Sequence, residues 1–127
     1  MSAQPAQLGR SVLIVDDEPD VLELLAVLFT DDWRCQEIRV VGDLDGAVRQ
    51  ARDHCPDTIV LDLMFGHRIC TEVLPELRRA CPHTRIIVFT ASERLARAEG
   101  VLDLGANSIR QKVTVSFEQI IDEALAA

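Results

Sequence analysis

Apolar residues fall along the chain in two alternating rhythms. Short, nearly unbroken apolar runs are Ser11–Val15, Ile38–Val41, Thr58–Met64 and Arg85–Thr90, and Ser108–Gln111 is a more modest fifth. Runs of this length read as strands, and Ile59, Val60 and Leu61 read as a strand buried on both faces. Between them apolar residues recur every three or four positions, which predicts helices. The first spans about 19–31, with Val21, Leu22, Leu24, Leu25, Leu28 and Phe29 recurring at helical spacing and Pro19 in its first turn. The second spans 44–54 and stops at Pro56. The third carries Ile69, Val73, Leu74 and Leu77 to about Cys81; Pro75, inside that pattern, can kink it. The fourth spans 93–103 and is capped by Gly105, and the last starts from a Ser116 cap. The run at 38–41 is short and less apolar, which places it at a sheet edge. Residues 1–10, punctuated by Pro5 and Gly9, read as a flexible N-terminal arm preceding one domain over 11–127.

The pattern is strand–helix repeated five times. Strands joined by helices of this length call for a parallel sheet with helices on both faces. The expected fold is α/β, a doubly wound five-stranded parallel sheet of order 2-1-3-4-5. In such a sheet all strand carboxyl ends lie on one edge, and ligands bind there at the switch point between strands one and three. The side chains at those ends are Asp16 and Asp17, Asp62, Thr90 and Lys112.

Composition narrows the classes. The chain has 127 residues, 48% apolar and 27% charged, enough for one domain with its own core. Its net charge is −8 at pH 7, which disfavours direct nucleic-acid binding by this domain. No apolar run approaches the roughly 18 residues of a membrane span. The first ten residues lack the basic region and apolar core of a signal peptide, so the protein is expected in the cytoplasm and not at a membrane. Cys35, Cys55, Cys70 and Cys81 form no C-x-x-C pair and read as reduced thiols. Zinc on these and on His54, His67 and His83 would need an unusual spacing.

The strand-end side chains have a common use. Three crowded carboxylates repel one another, and a divalent cation relieves the repulsion. Mg²⁺ suits them because it prefers hard oxygen ligands. Together with the Lys112 ammonium it would offset the charge of a phosphoryl group, while the Thr90 hydroxyl hydrogen-bonds one of its oxygens. Asp62 can then act as a nucleophile and form an acyl phosphate.

Val-Asp-Asp-Glu-Pro (15–19), Val-Leu-Asp-Leu-Met (60–64), Phe-Thr-Ala-Ser (89–92) and Gly-Ala-Asn-Ser-Ile-Arg-Gln-Lys (105–112) carry a family resemblance. Over about 11–126 the chain resembles a bacterial response-regulator receiver domain, with the CheY-like, flavodoxin-like (βα)5 fold. The resemblance implies that Asp62 takes a phosphoryl group from a sensor histidine kinase or a phosphotransfer protein. It implies Mg²⁺ on Asp17, Asp62 and the Met64 carbonyl, with Asp16 acting mainly through bound water. Thr90 and Lys112 would bind phosphoryl oxygens, and phosphorylation would switch a surface read by an output partner the sequence does not name. Beyond its own phosphoryl transfer and dephosphorylation, no enzyme activity is implied.

Four positions depart from the family pattern. Gly66 replaces the usual Pro four residues after Asp62, so the loop after the third strand should be looser or altered. Cys70 replaces a frequent Gly and reads as a small buried thiol, with a redox handle as the alternative. Val113 replaces the Pro after the lysine; either the preceding bond is cis, at roughly 2.5–4 kcal/mol, or it is trans and Lys112 is aimed differently. Ile109 occupies the switch position where the family has Tyr or Phe. It has no ring to swing, and on an exposed strand end it could instead mark an interface. A homodimer through the fourth helix, fifth strand and last helix is one such interface. These departures motivate the alternative of a phosphate-independent receiver-like interaction module. A phosphatase of the haloacid-dehalogenase type is disfavoured, because the first strand lacks an Asp-x-Asp.

Overall fold

The computed structural model describes residues 9–66 and 68–126. Its main sheet has five parallel strands: β1 (Arg10–Val15), β2 (Cys35–Val41), β3 (Thr58–Leu61), β6 (Arg85–Thr90) and β7 (Ser108–Gln111). They lie in the order β2-β1-β3-β6-β7, which is the predicted 2-1-3-4-5 order, with β2 at one edge. The expected arm at residues 1–10 lies mostly outside the described residues, and Arg10 already belongs to β1.

The strands are apolar on both faces because both faces are covered. Leu13, Val15, Ile59, Leu61, Ile86 and Val88 point to a core shared with α2 (Leu44–Asp53), α3 (Val73–Ala80), α4 (Glu93–Ala98) and α5 (Val101–Leu104). Val12, Ile14, Val60, Ile87 and Phe89 point to the other face, under α1 (Pro19–Thr30) and α6 (Phe117–Leu125). The two-residue alternation of each strand thus divides one apolar run between two cores. Pro19 opens α1, and Ser116 with Gln119 forms a reciprocal capping box on α6.

The structure departs from the sequence expectations in four places. The third helix starts at Val73, not near Ile69. Residues Met64–Phe65 (β4) and Arg68–Ile69 (β5) pair instead as a small antiparallel hairpin, so Ile69 reaches the core from a strand. Pro75 therefore falls in the first turn of α3, where its missing N–H has no intrahelical partner to lose and no kink follows. The fourth helix is broken in two by Gly100, whose φ of 73° is left-handed backbone that helices do not continue through. Cys55 and Cys81 are not free thiols but are joined as a disulfide, across a sequence separation of 26. Only the fold, which lays the ends of α2 and α3 side by side, makes that pairing. Cys70 is buried and, with the half-buried Cys35, is free.

Candidate functional site

Parallel pairing brings the strand ends together. The Asp62 N–H donates to the Val15 carbonyl (2.9 Å) and the Lys112 N–H to the Thr90 carbonyl (2.8 Å), so each site residue is held by the strand beside it. Asp16, Asp17 and Asp62 offer carboxylate oxygens that all lie within 4.8 Å of one another. Asp16 and Asp62 are buried, at 2% and 5% exposure, whereas Asp17 is exposed.

Lys112 reaches over from the end of β7. Its ammonium donates to Asp16 Oδ2 at 2.7 Å and to Asp62 Oδ2 at 2.9 Å. Glu18 lies 3.5 Å away, and the Phe89 ring centroid 5.9 Å. The Lys112–Val113 peptide is trans, so a trans bond suffices to aim the lysine into the acids. Burial alone lowers the Lys112 pKa, but hydrogen bonds to Asp16 and Asp62 outweigh it and the net shift is upward. The Asp62 carboxyl is pushed up, chiefly by burial and further by Asp16. The Met64 N–H and Lys112 oppose that shift without cancelling it.

The second oxygen of Asp62 accepts the Met64 N–H at 2.9 Å. Asp16 Oδ1 accepts the Glu18 N–H at 3.0 Å. Thr90 is buried at the end of β6, and its hydroxyl oxygen takes a long contact from the Ser92 N–H, 3.5 Å. The loop after β3 bends over the acids. Gly66, at its tip, has a φ of 67°, a value closed to the family's proline, and its N–H points at Asp17 Oδ2, 3.4 Å away. The altered loop expected from Gly66 is thus a hairpin that adds an amide donor to the acid cluster. His67 lies outside the described residues.

Asp16, Asp17, Asp62 and Lys112 converge here, and Thr90 ends the adjacent strand β6. Ile109 does not join them: it is 2% exposed and packs in the core with β6 and α4, so it marks no surface interface. Three contributors went unread in the sequence. Glu18 was visible in the acid run; the Met64 and Gly66 amides depend on loop geometry. A fourth, Gln111, sits one residue before Lys112. Its side-chain carbonyl accepts the Glu93 N–H at the start of α4 (3.2 Å), and its amide donates to Thr114 (3.3 Å).

The donor set fits a hard divalent cation: three carboxylates, two of them buried beside a single ammonium, leave excess negative charge. No helix among the described residues is long and apolar enough to cross a membrane.

Comparison with known proteins identifies a family and a shared fold. The family model "Response regulator receiver domain" matches residues 12–124. A probable transcriptional regulatory protein, TcrX of Mycobacterium tuberculosis, is 30% identical over 112 residues, covering 87% of this chain and 46% of the relative. The chain therefore spans about half the length of that relative. A two-component response regulator of the LuxR family from Aurantimonas sp. SI85-9A1 superposes with a TM-score of 0.78 at 25% identity, covering 93% of this chain and 86% of the other. A CheY-like receiver domain protein from Methanospirillum hungatei JF-1 shares the fold, with a TM-score of 0.79 at 17% identity, covering 91% and 90%.

Proposed function

Because the chain belongs to the response regulator receiver domain family of two-component signalling, we propose that Asp62 is its phosphoacceptor. The donor is a sensor histidine kinase or a phosphotransfer protein. The observation that carries this reading is the Lys112 ammonium held between two buried carboxylates, Asp16 and Asp62, at the switch point of the sheet.

The chemistry follows from what each atom is doing. An Asp62 oxygen attacks phosphorus, and the donor's leaving group departs opposite. Lys112 is already hydrogen-bonded to Asp62, so a small displacement carries its charge from the carboxylate to a phosphoryl oxygen. Thr90 has a hydroxyl proton to donate to another. Burial matters because those charges act more strongly away from water. Mg²⁺ on Asp17, Asp62 and the Met64 carbonyl, with Asp16 reached through water, would offset the negative charge of the incoming group. The catalysis is confined to the domain's own phosphoryl transfer and dephosphorylation. A cytoplasmic location fits this role, and the net charge of −8 supports no nucleic-acid contact by this domain. Leu95 on α4 and Leu102 on α5 are partly exposed, which supports a homodimer through α4–α5, β7 and α6 as one output surface.

A second reading, a phosphate-independent interaction module, is favoured by one observation. Ile109 is locked in the core and has no ring to couple Thr90 to the surface. Intact-mass measurement after incubation with acetyl phosphate separates the two. A Mg²⁺-dependent phosphoryl adduct on wild type, absent from Asp62→Asn, is expected. No adduct on wild type would leave the interaction module, and an adduct retained by Asp62→Asn would remove Asp62 as acceptor.

A further inference from the structure

The opposite end of the molecule carries chemistry the phosphoryl site does not use. Cys55 follows the C-cap of α2, and Cys81 is the C-cap of α3. Their Cα atoms are 5.6 Å apart, a separation that a disulfide spans without backbone movement. The backbone around them is tied independently of the sulfurs: the Cys81 N–H donates to the Leu77 carbonyl, and the Thr84 hydroxyl to the Pro56 carbonyl. The fold therefore presents the two side chains to each other whatever their oxidation state.

Their exposures differ. Cys55 is exposed, whereas Cys81 is 1% exposed. A cavity of about 220 Å³ opens over the pair, lined by Pro56, Asp57, Pro82 and His83 besides the cysteines. The remaining thiols are poor competitors. Cys70 is buried, and Cys35 is half-buried, its thiol pushed up by that burial. An oxidant from solution meets Cys55 first and finds Cys81 behind it.

We propose that Cys55 and Cys81 are a reversible thiol–disulfide pair, a redox modification site that staples α2 to α3 away from the phosphoryl site. The oxidant is a low-molecular-weight disulfide, RSSR. The Cys55 thiolate attacks one sulfur of RSSR, forming a mixed disulfide and releasing RS⁻. The Cys81 thiolate attacks the Cys55 sulfur, closes the protein disulfide and releases the second RS⁻. Two cysteine thiols lose two electrons and two protons; RSSR gains both and leaves as two RSH. An excess of dithiol reverses the exchange. The closed loop contains β3, Asp62, the β4–β5 hairpin and α3. Because the link lies beyond the amino end of β3 and Asp62 follows its carboxyl end, oxidation stiffens the scaffold and leaves the acceptor accessible.

The test uses the whole chain equilibrated with graded ratios of reduced to oxidised glutathione, quenched by alkylation and read by intact mass and peptide mapping. A single transition in which two alkylation sites vanish together, mapped to Cys55–Cys81 and reversed by dithiothreitol, is expected. Its oxidised form should melt about 10 °C above the reduced form, from the loop-closure entropy removed from the unfolded chain. Cys55→Ser should lose both the transition and the melting shift. Cys81→Ala should hold glutathione on Cys55, because no second thiol can expel it. A lasting glutathione adduct on wild-type Cys55, dimers through Cys55, or a link that dithiothreitol cannot open in the folded domain would each overturn the proposal.

Discussion

The two ends of the sheet use polar groups in opposite ways. At the amino ends of the strands, polar groups are matched with partners, the buried Thr58 and Thr84 among them. The Ser11 N–H and hydroxyl meet Asp57, Thr84 meets the Pro56 carbonyl, and Thr58 meets the Ala124 carbonyl. Arg78 donates to the carbonyls of Gly105, Cys81, Pro82 and Thr84 and to the Asn107 side chain. At the carboxyl ends, Asp16, Asp62 and the nearby Glu18 share one ammonium, Asp17 adds a further carboxylate to the cluster, and Thr90 has its hydroxyl proton to give. A satisfied network holds structure, whereas a cluster with excess charge of one sign is held ready for a ligand. The lesson is that stability and reactivity are kept at opposite ends of the same strands, a few residues apart.

Breaking the reactive end should change chemistry more than folding. Lys112→Ala removes the cation poised over Asp62, and the rate of phosphorylation by acetyl phosphate should fall about a hundredfold, roughly 3 kcal/mol of barrier. Rapid-quench labelling followed by mass measurement checks this; an unchanged rate would show that the lysine is only a counter-ion. Breaking the other end should do the reverse. Arg78→Ala removes a donor from four carbonyls and should cost about 2 kcal/mol of unfolding free energy in urea, with the phosphorylation rate of the folded fraction unaltered. A slowed reaction there would erase the distinction between the ends.

Gln111 tests the boundary. Its side chain bridges the start of α4 and the turn after β7, next to Lys112. Gln111→Ala should cost about 1 kcal/mol and speed amide exchange at Glu93, without weakening the adduct. Equal exchange at Glu93 in both proteins would mean that the Gln111 contact does not protect that amide, and that the Ser92 cap on the Leu95 N–H is enough to hold the start of α4.

Much of this was legible because it is local. The strand at 108–111 has the predicted bounds, and Pro19, Gly105 and Ser116 mark helix ends as their backbone chemistry requires. The strand-end residues could be placed together because parallel sheets leave no choice about which edge carries the carboxyl ends. Ile69 misled, since an apolar residue four before Val73 suits a helix as well as a strand, and only the pairing with Met64 decides. Ile109 misled as well, because an apolar residue near a strand end does not reveal whether α4 covers it.

The sequence by itself therefore determined the strand–helix rhythm and the side chains that end the strands, since these follow from periodicity and chain connectivity, and the doubly wound pattern supplied the strand order. The tertiary structure alone decided the contacts between distant segments: a trans Lys112 that still reaches Asp16 and Asp62, the Gly66 hairpin over Asp17, and the joining of Cys55 to Cys81. Each of these depends on where packing places one element against another, and no local propensity encodes that distance.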